Sequence, residues 1–228
     1  MVASRASEIE KHRKVATLSH VPKPIIVTYS QGAKEFAAQL LGRIVSDTDL
    51  AGLAGALTGA EVIVSRDGQS LLLEVHHPEV EIQLRRLARD SAGAPFLRNQ
   101  AIRKYPTTPS GFGLKTFAVQ IKSAKQLNVE RIVAFAAGYP NHPDGLNGYY
   151  TWMRFGFNAA LDDADIELLP AELAGAKDLN DVIRLGGKDW WKANGYEREM
   201  VFDLSDDSAM MQIFRAYQAE KKRQKRKK

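Results

Sequence analysis

The chain of 228 residues contains no cysteine. That excludes disulfide bridges, thiolate metal sites and a cysteine nucleophile within it. It also lacks any apolar run near the ~20 residues that a membrane-spanning helix needs, so no membrane insertion is expected. The opening residues MVASRASEIEKHRK carry no hydrophobic signal core, and export by that route is not expected. A histidine pair, His76-His77, invites a metal reading, but adjacent side chains on a strand point to opposite faces. No metal site is expected.

Apolar content of 44% and charged content of 26% suit a soluble globular chain, long enough to bury a core. The net charge of +5 is unevenly spread. Seven positive charges fall in the last eight residues, Lys221–Lys228 (KKRQKRKK), which leaves −2 for residues 1–220. Such a segment can dock on nucleic acid, an acidic protein surface or anionic lipid, or end as a solvated terminus. It has no interleaved aromatics to stack bases, so sequence-specific reading is not expected.

Residues 1–22 read as a polar arm or helix ending at Pro22-Lys23-Pro24. Ile25–Tyr29 is β-prone; Ser30 is placed to cap a helix over about 31–45, and Ser46–Asp49 restarts a second helix closed by Gly59. Two strands, Glu61–Ser65 and Ser70–His76, flank an Asp-Gly turn. Ile82–Arg89 fits a strand or a helix face, and the strand reading is preferred. Phe96–Tyr105 is a further strand.

The segment from Ser110 to Phe157 is the stretch that implies a ligand. Gly111 and Gly113 permit a tight turn and close approach of an anion. Behind them Leu114, Phe117, Ala118, Ile121, Ala124 and Leu127 form one helical stripe, stopped by Asn128. Free N–H groups and the dipole at that helix start favour an anion. Ile132–Ala137 (IVAFAA) reads as a buried strand, and strand-helix-strand with one crossover implies a parallel pair. An aromatic helix ending in Gly156-Phe157 follows. After a polar helical insertion at about 162–195, Glu197–Leu204 closes the sheet, Trp190-Trp191 plugs the insertion, and Ser205 caps a final helix that runs out into the basic tail, the two together covering 206–228.

On these residues the chain resembles the GNAT superfamily of N-acetyltransferases. Thr108-Pro109-Ser110-Gly111-Phe112-Gly113 is similar to that family's Q/R-x-x-G-x-G/A loop, with Thr108 in the first position. Trp152-Met153-Arg154-Phe155-Gly156-Phe157 is similar to its Y-x-x-x-G-F ending, with Trp152 for tyrosine. The resemblance implies one α/β (α+β) domain over 23–205, a mixed twisted sheet with helices on both faces. It implies that acetyl-CoA is held by the backbone of Gly111, Phe112, Gly113 and Leu114. Its pantetheine arm would lie along the free edge Ala101, Ile102, Arg103 and Lys104 where two parallel strands splay. Tyr149 or Tyr150 would stand in as the acid and Glu74 would be the candidate base, acting through a water. Thr108, Trp152 and the absence of a carboxylate in Phe96–Tyr105 favour a second option. In it the scaffold is kept without the chemistry, as in accessory domains of bacterial and phage proteins. The setting expected is cytoplasmic, or virion-associated for a phage protein.

Overall fold

The computed structural model describes residues 23–227, and the arm expected at 1–22 lies outside them. Seven strands form one mixed sheet in sequence order: β1 (Ile26–Tyr29), β2 (Glu61–Asp67), β3 (Ser70–His76), β4 (Val80–Arg89), β5 (Pro95–Lys104), β6 (Arg131–Phe135) and β7 (Glu199–Asp203). β1 runs parallel to β2 and β5 parallel to β6, and every other neighbouring pair is antiparallel. The α+β class and the mixed sheet therefore stand.

Two helices, α1 (Ala33–Leu41) and α2 (Asp47–Ala54), join β1 to β2. α3 (Phe112–Gln126) crosses from β5 to β6. α4 (Gly148–Arg154) follows β6, then the short α5 (Asp163–Glu167), a 3-10 turn at Ala171–Leu173, α6 (Leu179–Arg184) and α7 (Lys188–Asn194). α8 (Ala209–Arg226) ends the described chain. Local chemistry sets these bounds. Ser46 and Asp49 exchange hydrogen bonds as a capping box at the start of α2. Gly42 ends α1 and Gly55 ends α2, both in left-handed geometry, so each helix is shorter than its apolar pattern suggests. Ser208, three residues past the expected Ser205, caps α8 by accepting from Met211 N.

One sheet face is continuous and dry. Val62, Val64, Leu71, Leu73, Val75, Leu87, Leu97, Ile132, Ala134, Met200 and Phe202 share it through the strand register, each no more than 5% exposed. Phe36 of α1, Gln83 against the end of α2, Gln120 and Phe117 of α3 and Phe214 of α8 all meet this face. The expectation of helices on both faces is corrected here for the described residues: those helices that pack on the sheet gather on one face. The reason is the alternation of the strands. Thr28, Glu61, Ser65, Glu74, Arg86, Arg98 and Glu199 fall on the other face, interspersed with the half-buried Ile63, Leu72, Leu84 and Val201, so that face is mixed rather than apolar. Arg98 there reaches Glu199 at 2.6 Å across the intervening β6. Val133, the register partner of Arg98 on β6, is only 4% exposed.

The insertion is anchored as expected. Trp191 is fully buried, donating its indole N–H to Tyr149 O at 3.0 Å. Trp190 packs half-buried beside it.

Candidate functional site

β5 pairs with β6 only from Phe96 to Asn99, although it continues to Lys104. Beyond Asn99↔Ala134 the strands part, and among the described residues Ala101–Lys104 keep β4 as their sole strand neighbour. The β4 register also slips at this level, between Leu84 and Arg85, where Gln100 is an extra residue. An inserted residue bends the strand and terminates ordinary pairing, which is the local cause of the parting. The segment Ala101, Ile102, Arg103 and Lys104 thus sits where the sequence reading expected a free edge.

The chain then turns through 105–111 into α3. Gly111 has φ 89°, a left-handed backbone that glycine adopts without strain, and it stands just before the helix. Gly113 lies inside the helix at an ordinary angle, and a Cβ added there would meet nothing within 4 Å. Gly111 therefore supplies the turn, while Gly113 leaves open space. The N–H of Phe112 is already used, donating to Pro109 O at 3.2 Å. Those of Gly111, Gly113 and Leu114 have no protein acceptor among the described residues. Three of the four amides expected to hold an anion are thus free to do so.

The basic end of the chain arrives at the same place. α8 runs antiparallel alongside α3: Asp206, just ahead of α8, pairs with Lys125 near the end of α3, and Phe214 packs on Phe117. Lys225 Nζ reaches 3.8 Å from where a Cβ on Gly111 would stand. The segment 221–226 is helical rather than a free tail, held at its base by Tyr217, whose hydroxyl accepts from Arg154.

The candidate catalytic groups are scattered. Tyr149 is 4% exposed, and its hydroxyl donates to Lys192 O at 2.8 Å, so its proton faces α7. Burial, with Tyr150 nearby, holds its pKa above the ordinary tyrosine value. Tyr150 is half-buried against the core, with the Arg154 guanidinium 5.0 Å from its ring centre. Glu74 lies on the open sheet face, bonded to His76 Nε2 at 3.0 Å. It borders a groove of about 670 Å³ shared with Leu72, Ile82, Leu84 and Tyr105. His77 turns away from His76, packing its ring 5.2 Å from Phe112. Glu74 and the two tyrosines therefore do not converge on one point: Glu74 faces the side of the sheet opposite the described helices.

A polar layer that the sequence reading missed lies under α3, beside the parted strands. Gln83, Arg85, Asn99, Thr116 and Gln120 are each no more than 3% exposed. Asn99 and Gln120 exchange hydrogen bonds at 3.2 and 2.8 Å. Gln83 Nε2 donates to Ala54 O and Gly55 O at the end of α2. Arg85 Nη1 donates to Leu84 O at 3.0 Å and to Ala101 O at 2.8 Å. No carboxylate pairs with Arg85 among the described residues. Burial alone pushes its pKa down to about 9, and it stays charged at neutral pH. The signal in the sequence was parity: Gln83, Arg85 and Leu87 alternate on one face once β4 is read as a strand.

No protein-family model matches the chain, and no curated protein matches it.

Proposed function

We propose that this chain binds an acyl-CoA, with the pyrophosphate at the start of α3 and the pantetheine arm along Ala101–Lys104. The observation that carries the reading is the parting of β5 from β6 directly ahead of a helix start with free amides. An extended arm can add to an unpaired strand edge through backbone hydrogen bonds. A diphosphate gains from free N–H groups and from the helix dipole, the latter contributing about 0.3–1 kcal/mol. Lys225 adds a nearby positive charge from α8. The half-buried Ile102, Leu114 and Ala118 offer apolar surface on the elements that border the arm.

N-acyl transfer is the reaction that such a bound thioester would serve. An amine attacks the thioester carbonyl, the C–S bond breaks, and the leaving thiolate takes a proton while the amine loses one. Tyr150 is the proton source this reading retains, since the Tyr149 hydroxyl is held by Lys192 O. A second reading, a scaffold that binds without transfer and docks a polyanion through 221–227, is favoured by the separation of Glu74 from the α3 start.

The test is thermal denaturation with and without CoA and acetyl-CoA. Ligand at a hundredfold excess over its Kd stabilises by about 2.7 kcal/mol. The variant Gly113→Val should keep the fold, because its side chain enters open space, and lose the CoA-dependent shift. No shift for the wild-type chain at millimolar CoA removes the acyl-CoA reading. In that event, salt-sensitive retention on heparin that is lost on deleting 221–228 supports the docking reading.

A further inference from the structure

Most buried charges in folded chains are paired, because an unpaired one loses its hydration without compensation. Arg85 departs from that rule. It is 2% exposed, yet among the described residues its guanidinium meets only backbone carbonyl oxygens, and its Nε has no partner there. Gln83, two residues away on the same face of β4, is 2% exposed, and its Oε1 likewise has no donor. The orientation of that amide is fixed, since its Nε2 donates to two carbonyls at 2.8 and 3.2 Å. The layer therefore closes on itself through Asn99 and Gln120 but leaves one strong donor and one acceptor unused.

Position gives these two groups a meaning. Arg85 Nη1 bonds Ala101 O, the first residue beyond the register slip on the part of β5 that β6 has left. The guanidinium thus stands against β5 at the point where the two strands part. A planar fork of N–H donors in a low-dielectric site matches a carboxylate. The nearby Gln83 Oε1 matches an N–H carried by the same or a neighbouring molecule.

We infer that Arg85 recognises a carboxylate on a molecule entering between β5 and β6, with Gln83 Oε1 available to an N–H group beside it. The inference rests on the acyl-CoA reading only for where that carboxylate is carried. It sits either on the acyl group, as in a dicarboxylic acyl-CoA, or on an acceptor of the amino-acid type.

Titration calorimetry on the full chain separates the two sources. One arm compares succinyl-CoA with butyryl-CoA, which share their acyl carbon count and differ in the carboxylate. The other compares L-glutamate with its diamide. One arm is expected to favour the carboxylate by about tenfold or more, the range for a hydrogen bond to a charged group. Arg85→Gln should abolish that preference and leave the affinity for unacylated CoA unchanged, while Arg85→Lys should keep part of it. The paired comparison is made on the wild-type chain, so it stands even if a variant fails to fold. Failure of every CoA probe with a preference in the L-glutamate arm removes the acyl-CoA reading and keeps the role of Arg85. Equal binding within both pairs overturns the inference, whether or not CoA binds.

Discussion

The two sides of α3 are built on opposite principles. On one side Phe117 meets the rings of Trp152, Phe155, Phe157, Phe202 and Phe214, with centroids 5.2–5.9 Å away, and is itself 2% exposed. On the other side Thr116 and Gln120 face a polar layer in which Arg85 Nε and Gln83 Oε1 have no partner among the described residues. The aromatic hub is complete in itself, tying α3 to α4, β7 and α8. The polar layer is incomplete in itself and lies beside the parted strands. One helix thus separates what holds the fold from what is available to a ligand.

The comparison breaks most readily at the hub. Phe117→Ala removes a ring from the centre of five others and should destabilise the chain by about 3–5 kcal/mol, measured by urea unfolding. A loss under 1 kcal/mol would show that the hub is not the structural centre. Across the helix, Arg85→Met should move stability by no more than about 1.5 kcal/mol in either direction. The lost bonds to Leu84 O and Ala101 O offset the relief of burying an uncompensated charge. A loss as large as that of Phe117→Ala would make Arg85 a structural residue and contradict the division.

A smaller effect checks that ordinary ion pairs follow a different rule from Arg85. Asp90 accepts from Arg131 at 2.8 Å and from the N–H groups of Ala92 and Ala94, closing the β4–β5 turn. The Arg131 hydrogen bond, helped by those of the turn, holds its carboxyl below the ordinary value of 3.8. Its folded pKa is the lower one, so its contribution is present above about pH 4 and is lost as the pH falls through the folded value. Asp90→Asn should therefore lower stability at pH 6 and narrow the difference from wild type near pH 2, read by chemical denaturation at both. An unchanged difference at the two pH values would show that the pair carries no pH-linked stability.

Much of this was legible in the residues. The Asp-Gly turn, the stripe of α3, the stop at Asn128, the buried Trp191 and the parallel β5–β6 pair all follow from local patterns that tertiary packing did not override. The layering was not, because a strand that alternates weakly does not announce that its second face stays bare. Ile82–Arg89 was ambiguous for a related reason. The extra residue Glu81 between Val80 and Ile82 breaks the period of two in β4, and the inward positions that follow, Gln83 and Arg85, are polar, so no apolar alternation marks them. The insertion was read as helical, but the start of its first helix, Asp163–Glu167, was not located, although Asp162 and Asp165 form a capping box. Two acidic residues three apart in a polar stretch also suit a loop. The basic end was read as a tail, yet Lys, Arg and Gln are good helix formers, and Glu220 and Gln224 bond at 2.9 Å along α8.

The site claim is tested most directly by backbone amide chemical shifts of the labelled chain during CoA titration. The account predicts that the largest movements fall on Gly111, Gly113 and Leu114, followed by Ala101–Lys104. Movements confined to Glu74, His76 and their neighbours on the open sheet face, or none at millimolar CoA, would contradict it.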